Sequence, residues 1–117
     1  MIGIVIVAHG GLAQEYLAAV EHVVGPRSSP KQSEICAAAD AVDEGDGVVL
    51  VTDLFGGSPS NLSLRACAPA NRRIIYGANL PMLIKLAKSR RLPVADAVAG
   101  ALEAGRKYIN AQDVRAD

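Results

Sequence analysis

The chain opens on a short apolar run that ends at a histidine followed by two glycines. Residues 2–8 are almost all Ile, Val or Ala, and His9, Gly10 and Gly11 come directly after them. A run of this length, rich in β-branched residues, predicts a strand buried on both faces, as in a parallel sheet. Because ligand sites of open α/β sheets gather at the carboxyl ends of the strands, His9 is expected at the mouth of a crevice.

A second buried strand is predicted over Val48–Thr52, and it also ends on a titratable residue, Asp53. The carboxyl ends of neighbouring parallel strands lie at the same edge of a sheet. If these two strands are neighbours, His9 and Asp53 are therefore expected to face each other across the crevice.

The stretch Gly56-Gly57-Ser58-Pro59 follows Asp53 closely and predicts the start of a helix. Ser58 can accept hydrogen bonds from the free amides of the first turn, and proline suits the first helical position. Such a helix end attracts phosphate through its unpaired N–H groups and its partial positive charge.

Strands alternate with helices along the rest of the chain. This pattern predicts an α/β fold, with an open, mainly parallel sheet and helices on both faces. A single domain is expected over residues 1–110, with residues 111–117 as a frayed polar tail. A third strand is predicted over 73–77, and helices are predicted over 12–24, 33–42, 59–67, 79–90 and 93–109.

Two of these helices have apolar residues at helical spacing, which predicts the faces that they bury. The inward residues expected in the first helix are Leu12, Tyr16, Val20 and Val23. In the last helix they are Val94, Ala97, Val98, Ala101, Leu102 and Tyr108.

Composition argues against several classes of protein. Twelve acidic residues balance twelve basic ones, whereas a nucleic-acid binder needs a basic excess. No apolar run approaches the roughly 20 residues that a membrane span requires, and Met1 leads into the strand without a positively charged segment. A cytoplasmic protein with no membrane insertion is expected. No cofactor is predicted, and no metal either, because His9 and Asp53 have no evident third ligand.

The predicted site suits the transfer of a phosphoryl group. Neutral imidazole is a competent nucleophile, and a carboxylate bonded to one ring nitrogen would hold the other forward. His9 and Asp53 are the catalytic candidates, and no P-loop lysine pattern indicates a nucleotide donor. A protein phosphohistidine is then the natural donor and acceptor. The expected phosphate-binding donors are Gly10, Gly11, Gly57 and Ser58.

Three motifs together resemble the mannose-type IIA component of the bacterial sugar phosphotransferase system. They are Ile4-Val5-Ile6-Val7-Ala8-His9-Gly10, Val51-Thr52-Asp53-Leu54-Phe55-Gly56-Gly57-Ser58-Pro59-Ser60-Asn61 and Gly77-Ala78-Asn79-Leu80-Pro81-Met82-Leu83. The resemblance implies that HPr phosphorylates His9 on Nε2 and that a IIB component accepts the group. It also implies that Asp53 orients the histidine, that Ser58 lies beside the phosphate, and that the protein is a cytoplasmic homodimer.

The segment between the first two helices departs from this family. The family has a strand and a loop there, whereas Gly25 to Gln32 is too short and too rich in proline for both. Two alternatives stay open: the strand is absent from the fold, or a segment is missing from the chain as given.

Other functional hypotheses also remain at this stage. Phosphorylation of His9 could be a signal, so that the protein binds a regulated partner according to its phosphorylation state. A flavodoxin-like binder of a small ligand is a third possibility. More simply, His9 could be a satisfied polar residue at a strand end, Asp53 could cap a turn, and Ser58 could serve only as a helix cap.

Overall fold

The computed structural model describes residues 1–8, 10–24, 35–53 and 71–114. Three strands and four helices lie within these ranges. They are β1 (Gly3–Val7), α1 (Leu12–Val24), α2 (Ile35–Val42), β2 (Val48–Thr52), β3 (Arg72–Ile75), α3 (Leu80–Lys88) and α4 (Val94–Lys107).

The three strands form a parallel sheet in the order β1-β2-β3. β2 is the central strand: Val7 of β1 pairs with Thr52, and Ile75 of β3 pairs with Val51. The first two strands are thus neighbours, which meets the condition set in the sequence-based expectation for His9 and Asp53, and their carboxyl ends lie side by side. The predicted fold class is confirmed.

Helices cover both faces of the sheet. Alternate strand residues point to opposite sides, so each face presents apolar side chains to be buried. Ile4, Ile6 and Val49 belong to a core cluster shared with α1, α3 and α4. Val5, Val7 and Leu50 belong to a second cluster shared with α2. Every residue of β1 and β2 is buried, which explains why both strands read as unbroken apolar runs.

Gly3 allows α2 to approach β1 closely. A Cβ added at this position would lie 2.6 Å from Val42 Cγ2 and closer still to the Val42 carbonyl oxygen. No larger residue fits without moving the end of α2. The helix on this face is therefore held against the backbone of the strand.

β3 begins at the charged residue Arg72, one residue before the predicted start. Arg72 is buried, and its Nη2 lies 2.6 Å from Asp40 Oδ1 and 3.3 Å from Asp43 Oδ2. These contacts stabilise the charge and join the end of α2 to the start of β3. The strand then ends at Ile75 rather than at residue 77, where Gly77 turns the chain with a φ of 73°.

Two of the predicted inward residues are wrong. Leu12 is 37% exposed, because it is the first residue of α1 and lies at the edge of the sheet. Tyr108 is 64% exposed, because α4 ends at Lys107. Of the other predicted inward residues, Val20, Val94, Ala97 and Ala101 are buried, and Tyr16, Val98 and Leu102 are partly buried. The side chain of Val23 lies outside the described part of the chain.

The predicted helix over 59–67 and the departure at Gly25 to Gln32 both lie outside the described residues. Within the described residues the sheet has three strands.

Candidate functional site

The site lies at the carboxyl edge of the sheet, where β1 and β2 end together. Since Val7 pairs with Thr52, Ala8 and Asp53 are the next residues along the two strands. Asp53 is partly exposed, whereas Thr52 is fully buried with its hydroxyl 3.5 Å from Asp53 Oδ1. A carboxylate therefore sits at the end of the strand that neighbours β1.

His9 follows Ala8 but lies outside the described residues. Its placement against Asp53 remains a prediction. Ala8, the last described residue before His9, lies at the strand end beside Asp53.

Gly10 and Gly11 lead from this edge into α1. Gly10 has a φ of 57°, in the left-handed region that favours glycine. A Cβ added at either glycine would meet no atom of the described residues within 4 Å. Both glycines are exposed.

The segment between β3 and α3 closes the same edge. The Ala78 N–H donates to the Thr52 carbonyl at 3.1 Å, and the Tyr16 hydroxyl donates to the Ala78 carbonyl at 3.0 Å. Asn79 caps α3, because its side-chain oxygen accepts from the Met82 N–H at 3.0 Å. The predicted helix start at Asn79 thus proves to be an N-cap.

The N-termini of α1 and α3 both lie at this edge, since each helix begins shortly after the carboxyl end of a strand. Helix N-termini carry partial positive charge and favour anions. Two helix N-termini, the glycine backbone and the Asp53 carboxylate, all at this edge, can hold an anionic group beside a side chain that needs orienting.

Of the predicted site residues, the structure brings Gly10, Gly11 and Asp53 to one edge of the sheet. His9, Gly57 and Ser58 lie outside the described residues, so their roles stay predictions. Sequence reasoning missed the contact between Tyr16 and Ala78. The only signal for it was a polar hydroxyl on an otherwise apolar helix face.

The described ranges contain neither a metal-binding cluster nor a membrane-spanning helix. No group of three or more His, Cys, Asp or Glu side chains there could hold a metal ion. None of the described helices combines the length and apolarity needed to cross a membrane.

The fold is that of IIA components of the phosphotransferase system. Residues 3–103 match the family model described as the PTS system fructose IIA component. The chain therefore belongs to the mannose-type family of IIA components.

A curated relative is similar in sequence over part of its length. The mannose-specific EIIAB component of Escherichia coli strain K12 is 28% identical over 94% of this chain. The aligned region is 39% of that protein, so the chain spans about two fifths of the length of the curated relatives it matches.

Solved structures of similar length share the fold. The EIIA component from Streptococcus agalactiae has a TM-score of 0.80 at 25% identity, covering 95% of this chain and 97% of that one. The IIA protein associated with the fucose utilization operon of Streptococcus pneumoniae has a TM-score of 0.77 at 26% identity, covering 93% and 92%. The mannose/sorbose specific IIA subunit from Enterococcus faecalis has a TM-score of 0.75 at 25% identity, covering 97% and 96%.

Proposed function

We propose that this chain is a phosphohistidine carrier. It accepts a phosphoryl group from phospho-HPr on His9 and passes the group to a IIB component of a sugar phosphotransferase system. Family membership supports this role. The observation that carries the proposal is the pairing of Val7 with Thr52, because it sets Asp53 beside the strand end that leads into His9.

The transfer replaces one N–P bond by another. The lone pair of His9 Nε2 attacks phosphorus, and the N–P bond of phospho-HPr breaks with its electron pair left on the HPr imidazole, which takes up a proton from solvent. The step to IIB runs the same way: the acceptor side chain of IIB forms the new bond, and the pair of the broken bond returns to Nε2.

Asp53 acts on the imidazole rather than on phosphorus. Its carboxylate accepts a hydrogen bond from His9 Nδ1–H, which keeps the Nε2 lone pair directed at the donor. It also stabilises the positive character that the ring gains on phosphorylation. Asp53 is suited to this role because it is partly exposed at the edge of the sheet.

The phosphoryl oxygens need donors rather than a covalent partner. The proposed donors are the backbone N–H groups of Gly10, Gly11 and Gly57, together with Ser58. The described residues leave space over Gly10 and Gly11, which supports this assignment.

The test is incubation of the native protein with phosphorylated HPr, followed by mass spectrometry of its peptides. We expect one added phosphoryl group on the peptide that carries His9. His9→Ala should abolish labelling, while His22→Ala, which changes the only other histidine in the sequence, should label like wild type. An unlabelled wild-type protein, or equal labelling of His9→Ala, would refute the proposal.

The acceptor step separates the carrier from the regulatory alternative. Addition of an unphosphorylated IIB protein should discharge the labelled chain within the time of the forward reaction. A label that stays on the chain, together with a partner that binds only one phosphorylation state, would favour regulation. The cytoplasmic location and the homodimer belong to the same proposal, and sedimentation of the purified protein tests the dimer.

A further inference from the structure

Tyr16 makes a contact at the carboxyl edge that the proposed transfer step does not yet use. Tyr16 lies near the start of α1, and its hydroxyl donates to the Ala78 carbonyl at 3.0 Å. We infer that Tyr16 is a positioning residue for phosphoryl transfer, acting on Asp53 through Ala78 and Thr52. This inference rests on the proposed carrier function.

Ala78 connects two elements through its own backbone. Its N–H donates to the carbonyl of Thr52, the last residue of β2, and its carbonyl accepts from Tyr16. The Thr52 carbonyl belongs to the peptide group that leads directly into Asp53. A shift of Ala78 would therefore turn the peptide from which the Asp53 side chain projects.

The ring of Tyr16 is suited to hold this contact in place. Tyr16 and Ala78 both pack against the core cluster that α1 shares with the sheet. A tyrosine has few rotatable bonds, so a packed ring presents its hydroxyl in a nearly fixed position. Because α1 follows His9, Gly10 and Gly11 along the chain, the contact also ties the elements on either side of the proposed site.

The geometry matters because phosphoryl transfer depends on positioning more than on covalent help. A carboxylate that drifts from the histidine would orient the imidazole for less of the time. Loss of the Tyr16 hydroxyl should therefore lower the maximum rate of transfer without weakening the docking of the phosphate donor.

Tyr16→Phe removes one oxygen and keeps the packed ring. Tyr108→Phe is the matched control, because Tyr108 is 64% exposed beyond the end of α4. Initial rates of labelling are measured against phospho-HPr concentration, well below the unfolding temperature of each variant. We expect the maximum rate of Tyr16→Phe to fall roughly three- to tenfold, the range that one lost neutral hydrogen bond allows. The half-saturating concentration should not change, and Tyr108→Phe should match wild type.

Amide hydrogen exchange provides a second readout that does not depend on activity. In Tyr16→Phe the Ala78 amide should exchange faster than in wild type, while the Leu50 amide in the centre of β2 should keep its rate. This result would place the effect at the edge rather than in the stability of the whole fold.

Each outcome has a distinct meaning. A slower maximum rate with local exchange at Ala78 supports the inference. Equal rates for Tyr16→Phe and wild type overturn it and leave the carrier function standing, and so does a rate loss accompanied by equally faster exchange at Leu50. A wild-type protein that takes no label overturns the carrier function, and the inference falls with it.

Discussion

Asp53 and Thr52 illustrate how one residue can be buried while the next one reaches solvent. Thr52 pairs within the sheet and is fully buried, whereas Asp53 is the first residue beyond the strand and is partly exposed. The strand thus holds the backbone of Asp53 while leaving its carboxylate able to reach a neighbouring group. This arrangement supports an orienting role better than a role in the core.

We expect Asp53→Asn to slow labelling by phospho-HPr roughly tenfold or more. A hydrogen bond to a charged group contributes about 1.5–3 kcal/mol, and about 1.4 kcal/mol corresponds to a factor of ten in rate. Stopped-flow or quench labelling measures the change, and thermal unfolding should show that the variant is folded.

The matched control for that change is Asp113→Asn, which neutralises an exposed acid in the coil after α4. It should label at the wild-type rate. Equal slowing of both variants would mean that net charge rather than the position of Asp53 governs the reaction.

At the scale of elements, glycines decide how closely helices approach their neighbours. Gly3 faces Val42 at the end of α2, whereas Gly100, within α4, would place a Cβ at an ordinary contact distance of 3.5 Å from the Lys85 side chain. The same substitution should therefore have opposite effects at the two positions.

Gly3→Ala is expected to lower the free energy of unfolding by about 1–3 kcal/mol, because the new methyl group forces α2 from β1. Gly100→Ala is expected to raise it by about 0.5–1 kcal/mol, because alanine favours the helix interior. Urea unfolding of both variants measures the two changes. Destabilisation by Gly100→Ala, or a neutral Gly3→Ala, would contradict the packing described here.

Opposite charges meet where the end of α2 lies beside the start of β3. The Gly45 N–H, 2.9 Å from Asp43 Oδ1, and then the Arg72 guanidinium hold the pKa of Asp43 below its ordinary value of 3.8. In turn Asp40, and then Asp43, raise the pKa of Arg72. The carboxylate of Asp43 is thus favoured in the folded state.

Because the pKa of Asp43 is lowered in the folded state, its contribution to the free energy of unfolding depends on pH. The contribution is present above pH 3.8 and is lost as the pH falls through the lower folded-state value. We expect Asp43→Asn to be less stable than wild type at pH 6, with the difference shrinking below pH 3.8. Urea unfolding across this pH range measures it, and a constant difference would contradict the assignment.

For the whole molecule, the sequence was informative wherever local patterns decide structure. β2 has the predicted bounds, because an apolar run lies between a glycine-rich turn and Asp53. The cap at Asn79 and the glycine turn after β1 also follow from local chemistry.

Tertiary contacts account for what the sequence could not predict. Arg72 enters a strand because Asp40 and Asp43, on or just after α2, neutralise it. The hydrogen bond from Tyr16 to Ala78 joins residues 62 positions apart, so no local sequence pattern could identify the acceptor. The joint position of Gly10 and Asp53 was predictable only because strand ends of a parallel sheet share an edge.

The central place of β2 has a consequence for how the molecule fluctuates. β2 pairs on both sides, and its five residues are 0% exposed, so its amides should open only when the whole domain unfolds. Hydrogen exchange should find Val49 to Val51 the slowest amides in the chain. The proposed orienting carboxylate of Asp53 would then be attached to the strand that opens least often. A docking partner could loosen the surrounding helices without displacing it.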